Sequence, residues 1–234
     1  MLGIIGAMDI EVNGIIKKME NPQEKIISSL RFTSGIMEGT ECVIAKCGIG
    51  KVNAALCTQT MILNYHPDRI INTGIAGSTS AKTHIGSVVI ADKVVQHDFD
   101  TTILGDEAGT LFLPDERIIY IPADKILEQE LVKVCESLDD VDYTVGTVAT
   151  GDQFIGTRES RMSINERFGA IACEMEGGSI AQVCYINKVP FSILRSISDD
   201  STSDDNAQVE YNTFSRSAAA KAIEIITGFI ENWE

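Results

Sequence analysis

Three acidic segments stand where apolar runs end. Glu11 follows Leu2-Gly-Ile-Ile-Gly-Ala7, Glu174-Met175-Glu176 follows Ala170-Ile-Ala-Cys173, and Asp199 closes the run Pro190-Phe-Ser-Ile-Leu-Arg-Ser-Ile-Ser198. In open α/β sheets, ligands collect in the crevice beyond the carboxyl ends of the strands. Three carboxylates delivered there by three strands point to acid/base chemistry on a small polar substrate that is uncharged or cationic. Each also has a plainer role. An acidic residue in a first helical turn favours the macrodipole, which covers Glu11 and Glu176, and Asp199 suits an N-cap or turn. Against the plainer role, Gly177 and Gly178 follow Glu176 and permit close backbone approach. A carboxylate placed there suits vicinal sugar hydroxyls, each of which donates a charge-assisted hydrogen bond. For Asp199 the chemical role is proton donor to a leaving group. An unperturbed aspartic acid is only ~0.1% protonated at pH 7, so this role needs about 4 kcal/mol of environmental bias. Burial, or a proton shared with a basic ring nitrogen, supplies such a bias; a neighbouring arginine opposes it.

The elements that must carry these groups are legible as periodicity. Strand-like runs fall at about 2–7, 26–38, 41–47, 69–73, 86–95, 144–150, 170–174 and 190–197, and helical spacing at about 9–20, 51–65, 123–138, 157–168, 175–188 and 213–232. On 51–65 the residues Val52, Ala55, Leu56, Gln59, Ile62 and Leu63 form a mostly apolar face; on 213–232 Phe214, Ala218, Ile225, Ile226, Phe229 and Ile230 do the same. Asn21-Pro22 and Gly169 read as helix ends, and Glu38-Gly39-Thr40 as a hairpin turn. The segments 98–118 and 199–206 read as loops, the second a solvated connector beyond Asp199. Strands separated by helices imply a three-layer α/β/α sandwich with a mixed, largely parallel, twisted central sheet.

The chain has 234 residues, 44% of them hydrophobic, and no Pro/Ser/Gly-rich linker, which reads as one domain over 1–234. No apolar run approaches the ~18 residues of a membrane span, and the N-terminus reads as entering a strand at once, unlike a signal peptide. A net charge of −15 opposes binding to nucleic acid. Six cysteines without a Cys-x-x-Cys pair lead us to expect a reduced cytoplasmic protein with no zinc framework.

Familiar signatures fail. Gly48-Ile-Gly50-Lys51 lacks the first glycine of a P-loop, where Ala45 stands, and Val52 replaces its Ser/Thr. The dinucleotide fingerprint is incomplete at Gly3-Ile-Ile-Gly6 and at Gly48-Ile-Gly50, so these glycines are assigned to tight turns and close packing. Gly177-Gly-Ser179-Ile-Ala181 is a near miss for a nucleophile elbow, but His66, His84 and His97 all lie upstream of the serine. His97-Asp98 reads as a loop pair.

The segments Gly3-Ile-Ile-Gly-Ala-Met-Asp-Ile-Glu11, Ile71-Asn-Thr-Gly-Ile-Ala-Gly77, Thr150-Gly-Asp-Gln-Phe-Ile155, Cys173-Glu-Met-Glu176 and Arg195-Ser-Ile-Ser-Asp199 together resemble the 5′-methylthioadenosine/S-adenosylhomocysteine nucleosidases of the nucleoside phosphorylase superfamily, nearly end to end. The resemblance implies hydrolysis of the N-glycosidic bond of adenine thionucleosides, 5′-deoxyadenosine being a further candidate. It implies that Glu11 activates water, that Asp199 protonates adenine N7, and that Met175 and Glu176 hold the ribose. It implies that Phe154 stacks on adenine, that the backbone of Ile155 reads the Watson–Crick edge, and that Tyr211 flanks the 5′ substituent. Ala76 and Gly77 match substrate-binding positions, and Arg195 a position near the water and glutamate cluster. Neither metal nor cofactor is implied, and a homodimer is. An oxocarbenium-like transition state is stabilised by carboxylates beside the sugar, and protonation relieves charge on the departing base.

Ile75 departs from the serine usual in the family's Thr-Gly-Ser-Ala-Gly, and Thr101, Leu104 and Leu113 differ from its usual residues near the 5′ pocket, where a loop of the neighbouring subunit arrives. Three alternatives stay open. One is a purine nucleoside phosphorylase, although Asn72 stands where an Arg-x-Gly phosphate ligand belongs. The second is a hydrolase for another nucleoside, such as a futalosine-type one. The third is a nucleoside-binding protein without turnover.

Overall fold

A computed structural model describes residues 1–200 and 206–233, so most of the connector expected over 199–206, at 201–205, lies outside the described residues. β1 (Leu2–Gly6) leads into α1 (Asp9–Ile16), followed by β2 (Glu20–Ile27), β3 (Leu30–Met37), β4 (Thr40–Lys46), α2 (Lys51–Tyr65), β5 (Arg69–Ser78) and β6 (Val88–Gln96). A 3-10 turn at Thr102–Leu104 and the short strands β7 (Leu111–Phe112), β8 (Arg117–Ile118) and β9 (Tyr120–Pro122) precede α3 (Lys125–Ser137). The remainder alternates: β10 (Tyr143–Thr150), α4 (Arg158–Phe168), β11 (Ala170–Glu174), α5 (Gly177–Asn187), β12 (Phe191–Asp199) and α6 (Ala207–Glu231).

Among the described residues the main sheet runs β11-β10-β6-β12-β5-β1-β4-β3-β2, with β9 added to β6. Pairs such as β1 with β5, β12 with β5 and β10 with β11 are parallel; β12 with β6 and the β2–β3–β4 meander are antiparallel. Strand alternation builds two cores. Ile5, Val43 and Ala45 face α2 and α5, while Leu2, Ile4, Cys42 and Ile44 face α1, α3 and α6. This is the expected three-layer α/β/α sandwich. One feature exceeds the expectation: β11 also pairs antiparallel with β5, Cys173 opposite Gly77, so β11, β10, β6, β12 and β5 close into a ring.

Several boundaries differ. The run 26–38 is not one strand, because Ser28 and Ser29 take φ of 49° and 64° and turn the chain between β2 and β3. Two left-handed residues make the usual tight hairpin turn, but Ser-Ser lacks its Asn-Gly signature. The turn at Glu38-Gly39 is as expected, with φ of 46° and 80°. Asn21-Pro22 ends no helix: α1 stops at Ile16, and Pro22 lies in the exposed edge strand β2 at a register shift. An edge bulge tolerates its missing N–H. Gly169 does cap α4 in a left-handed conformation, φ 64°. β5 runs on to Ser78, carrying the glycine-rich motif into the sheet.

The helix 51–65 forms, but of its expected apolar face only Ile62 is buried, while Val52, Leu56 and Leu63 point outward at 78%, 47% and 63% exposure. Ala54, Cys57, Thr58, Met61 and Ile62 face the sheet instead. Small residues let α2 lie close, and a Cβ on Gly3 would stand 2.7 Å from Met61 Sδ.

Candidate active site

Glu11 is the third residue of α1 and is buried. Met8, at the N-cap, has no side-chain oxygen, so Glu11 turns back and its Oε2 accepts from the N–H groups of Ala7 (2.7 Å) and Met8 (2.9 Å). Its Oε1 accepts from Ile75 N–H at 3.2 Å. Burial raises its pKa, against the Arg195 charge and these N–H groups, and so improves it as a proton acceptor.

Glu174 and Glu176 divide their work. Glu174 ends β11 and caps α5, Oε2 accepting from Glu176 N–H (3.1 Å) and Gly177 N–H (2.7 Å). The same carboxylate pairs with Arg195 and accepts from Thr150 Oγ1. Glu176 accepts from Gly50 N–H at 2.8 Å, delivered by a turn whose Gly48 and Gly50 have φ of 87° and 97°. Burial, then the neighbouring Glu174, pushes Glu176 up to about 8, with Arg195 and the Gly50 N–H opposing. Arg195 lies beneath the carboxylates, bonded to Asn72 as well as Glu174.

Asp199 ends β12, where a register shift against β5 sets it opposite Gly77. Its Oδ1 accepts from Ser198 Oγ at 2.6 Å and its Oδ2 pairs with Arg161. Burial raises its pKa, against the Ser198 bond and the Arg161 charge. Two glycines of β5 leave the room these groups need. A Cβ on Gly74 would stand 2.6 Å from Glu11 Oε1, and one on Gly77 2.8 Å from Asp199 Oδ2.

These groups share a cavity of about 290 Å³, with Glu11, Glu176 and Asp199 in its walls beside Met8, Ile75, Phe154, Met175 and Tyr211. The volume approaches the lower end of small-molecule sites. Phe154 forms part of the wall, and its ring meets Tyr211 edge-on at 5.6 Å. The profile of the phosphorylase superfamily matches residues 1–231. A relative from Shewanella sediminis, named 5′-methylthioadenosine/S-adenosylhomocysteine nucleosidase, is 40% identical over 204 residues, 87% of each chain. The chain belongs to the phosphorylase superfamily, among its methylthioadenosine/S-adenosylhomocysteine nucleosidases. Of solved structures in the superfamily, the Neisseria meningitidis nucleosidase in complex with methylthio-immucillin-A is similar at TM-score 0.92 and 30% identity, covering 98% of both chains. Helicobacter pylori futalosine hydrolase is similar at TM-score 0.91 and 30% identity, covering 98% of this chain and 97% of its own.

In this family member the residues singled out from sequence fall as follows. Glu11, Ala76, Gly77, Phe154, Met175, Glu176, Asp199 and Tyr211 line the cavity. Ile155 borders a small annex of about 40 Å³ that shares Phe154 and Asp199 with it. Arg195 does not reach the cavity; it is buried behind Glu174. The Ile75 side chain packs on Ala218 and Ala219, and only its backbone N–H serves Glu11. Leu113 lies in the core away from the cavity, and Leu104 is 78% exposed. Asp98 is a loop tie, accepting from Lys51 Nζ (2.7 Å) and Asp152 N–H (2.8 Å). Arg161 is the residue that sequence reasoning missed. Its signal was faint, an arginine in an otherwise polar helix, yet its side chain is buried against Asp199.

Proposed function

We propose that this protein hydrolyses the N-glycosidic bond of 5′-methylthioadenosine and S-adenosylhomocysteine, releasing adenine and the 5-substituted ribose. The observation that carries the reading is the joining of Glu11, Glu176 and Asp199 in one cavity of a nucleosidase-family chain. Glu11, with its raised pKa, takes a proton from water as the oxygen attacks the anomeric carbon. Asp199 gives its proton to adenine N7 as the C–N bond breaks. Glu176 accepts from the ribose hydroxyls and, when ionised, stabilises oxocarbenium character. Phe154 covers the base, Ile155 reads its edge by backbone groups, and Tyr211 with Met8 flanks the 5′ substituent.

Water rather than phosphate is the nucleophile on this reading. The buried arginines near the cavity, Arg161 and Arg195, are each paired with a carboxylate, which makes them poor phosphate ligands. A futalosine-type nucleoside is the second reading, favoured by the similarity to a futalosine hydrolase. The test is adenine release in phosphate-free buffer from methylthioadenosine, S-adenosylhomocysteine, 5′-deoxyadenosine and adenosine, with inosine and a futalosine alongside. Release that requires phosphate and yields a sugar 1-phosphate sinks the hydrolase reading. Turnover of the futalosine alone selects the second reading, and no turnover at all leaves a nucleoside-binding protein.

The working form is a homodimer. Its support is the outward stripe of Ile49, Val52, Leu56 and Leu63 at α2, with Ile103 94% exposed on the 98–118 loop. Six buried free cysteines suit the reducing cytoplasm, where the reaction serves nucleoside breakdown and methionine salvage.

A further inference from the structure

Arg161 stands in the first turns of α4 with its side chain 1% exposed, and its guanidinium meets two strands and the loop before α4 at once. Nε donates to the Ile155 carbonyl at 3.0 Å, Nη1 to the Ser78 carbonyl at 3.4 Å, and Nη2 to Asp199 Oδ2. Ile155 and Asp199 both border the annex of the cavity. A Cβ on Gly77 would stand 3.4 Å from Arg161 Nη2 as well as 2.8 Å from Asp199, so β5 leaves open the space this pair fills. A buried ion pair adds little net stability over apolar packing of the same volume. Stability alone therefore does not account for an arginine here.

We propose that Arg161 is the positioning residue of the acid, one guanidinium holding the Asp199 carboxylate and the Ile155 carbonyl in fixed relation so that protonation of the base and reading of its edge are set together. This rests on the nucleosidase reading of the cavity. When the Asp199 O–H bond breaks and the proton passes to the base nitrogen, the glycosidic electron pair leaves with the base. The new carboxylate charge then forms against a cation already in place, with no reorganisation needed. The same cation makes the protonated acid rarer in the free enzyme. Among the described residues, the groups facing Asp199 are Ser198 on its own strand, Arg161 from α4, Cys173 from β11, and Glu210 and Tyr211 from α6. Arg161 is the cation of that set.

The test compares Arg161→Met and Arg161→Lys with the wild type in phosphate-free adenine release from methylthioadenosine across pH, with adenine binding by calorimetry alongside. In Arg161→Met we expect kcat to fall about tenfold or more and the alkaline limb of kcat/KM to move up by about 1 pH unit or more, since the charge that lowers the acid is gone. Adenine binding weakens in the same variant as the Ile155 carbonyl is released. Arg161→Lys keeps the charge and loses the fork, so its limb stays near wild type while kcat and adenine affinity fall. An unchanged kcat, or a lowered kcat with an unmoved limb in Arg161→Met, overturns the proposal. If Arg161→Met shows no cooperative melt, wild-type kcat and adenine affinity in Arg161→Lys overturn it. If the wild type releases no adenine, the nucleosidase reading fails by itself. Adenine affinity then decides: equal in wild type and Arg161→Lys, or absent in both, overturns the positioning role.

Discussion

At the residue scale, the three carboxylates differ in what surrounds them rather than in type. Asp199 is held by Ser198 and Arg161, so Asp199→Asn leaves the packing nearly intact and removes the proton. We expect kcat to drop by about 10²–10⁴ while an adenine nucleoside still binds, read by single-turnover assay and calorimetry; wild-type turnover would remove Asp199 from the acid role. Glu176 has a different signature, because its folded pKa is raised to about 8. A carboxyl raised on folding contributes stability that is present below its unfolded pKa and lost as pH rises through about 8. Glu176→Gln removes that loss. The variant should be more stable than wild type by ~1–3 kcal/mol at pH 9 and closer to it at pH 5, measured by thermal melts, with a raised KM throughout. The sequence showed the three acids because each ends an apolar run. It did not show Arg161, whose partner is 38 residues away in sequence and meets it only through the fold.

At the element scale, β5 is the strand on which the site depends, and it runs to Ser78, beyond the 69–73 that periodicity predicts. Its glycines look like a strand end in sequence, yet Gly74 and Gly77 continue the ladder to β12 while making room for Glu11, Arg195 and Asp199. Gly74→Ala should lower kcat at least tenfold and lower Tm, since its methyl would meet both Glu11 and the Arg195 guanidinium. Activity and Tm equal to wild type would mean the carboxylate moves aside freely. The helices were legible from spacing, but α2 shows the limit of that signal: periodicity gives an apolar face without saying what covers it. The β2–β3 turn was hidden for another reason, a left-handed pair built from serines.

At the scale of the whole molecule, the outward face of α2 and the exposed loop around Ile103 are the surfaces that the proposed dimer would cover. Leu63→Glu, at 63% exposure, should leave the unfolding free energy of the isolated chain within about 0.5 kcal/mol of wild type. It should also shift the sedimentation coefficient from dimer to monomer. A wild-type chain that sediments as a monomer would overturn the dimer itself. The layered architecture was readable because strand and helix patterns alternate along most of the chain. The pairing of β11 with β5 was not, because it joins only Ala172–Ser78 and Cys173–Gly77.

That short pairing has a consequence for how the protein behaves in a crowded solution. Stitching β11 to β5 withdraws one side of the sheet as a template for a foreign strand, leaving β2 as its long open margin. There the chain places Glu20, Pro22, Glu24 and Lys25, all exposed, so a stray chain meets a missing amide and a row of charges where it would otherwise add on. The ring that fixes the carboxylates also guards the molecule against fibre-like self-association.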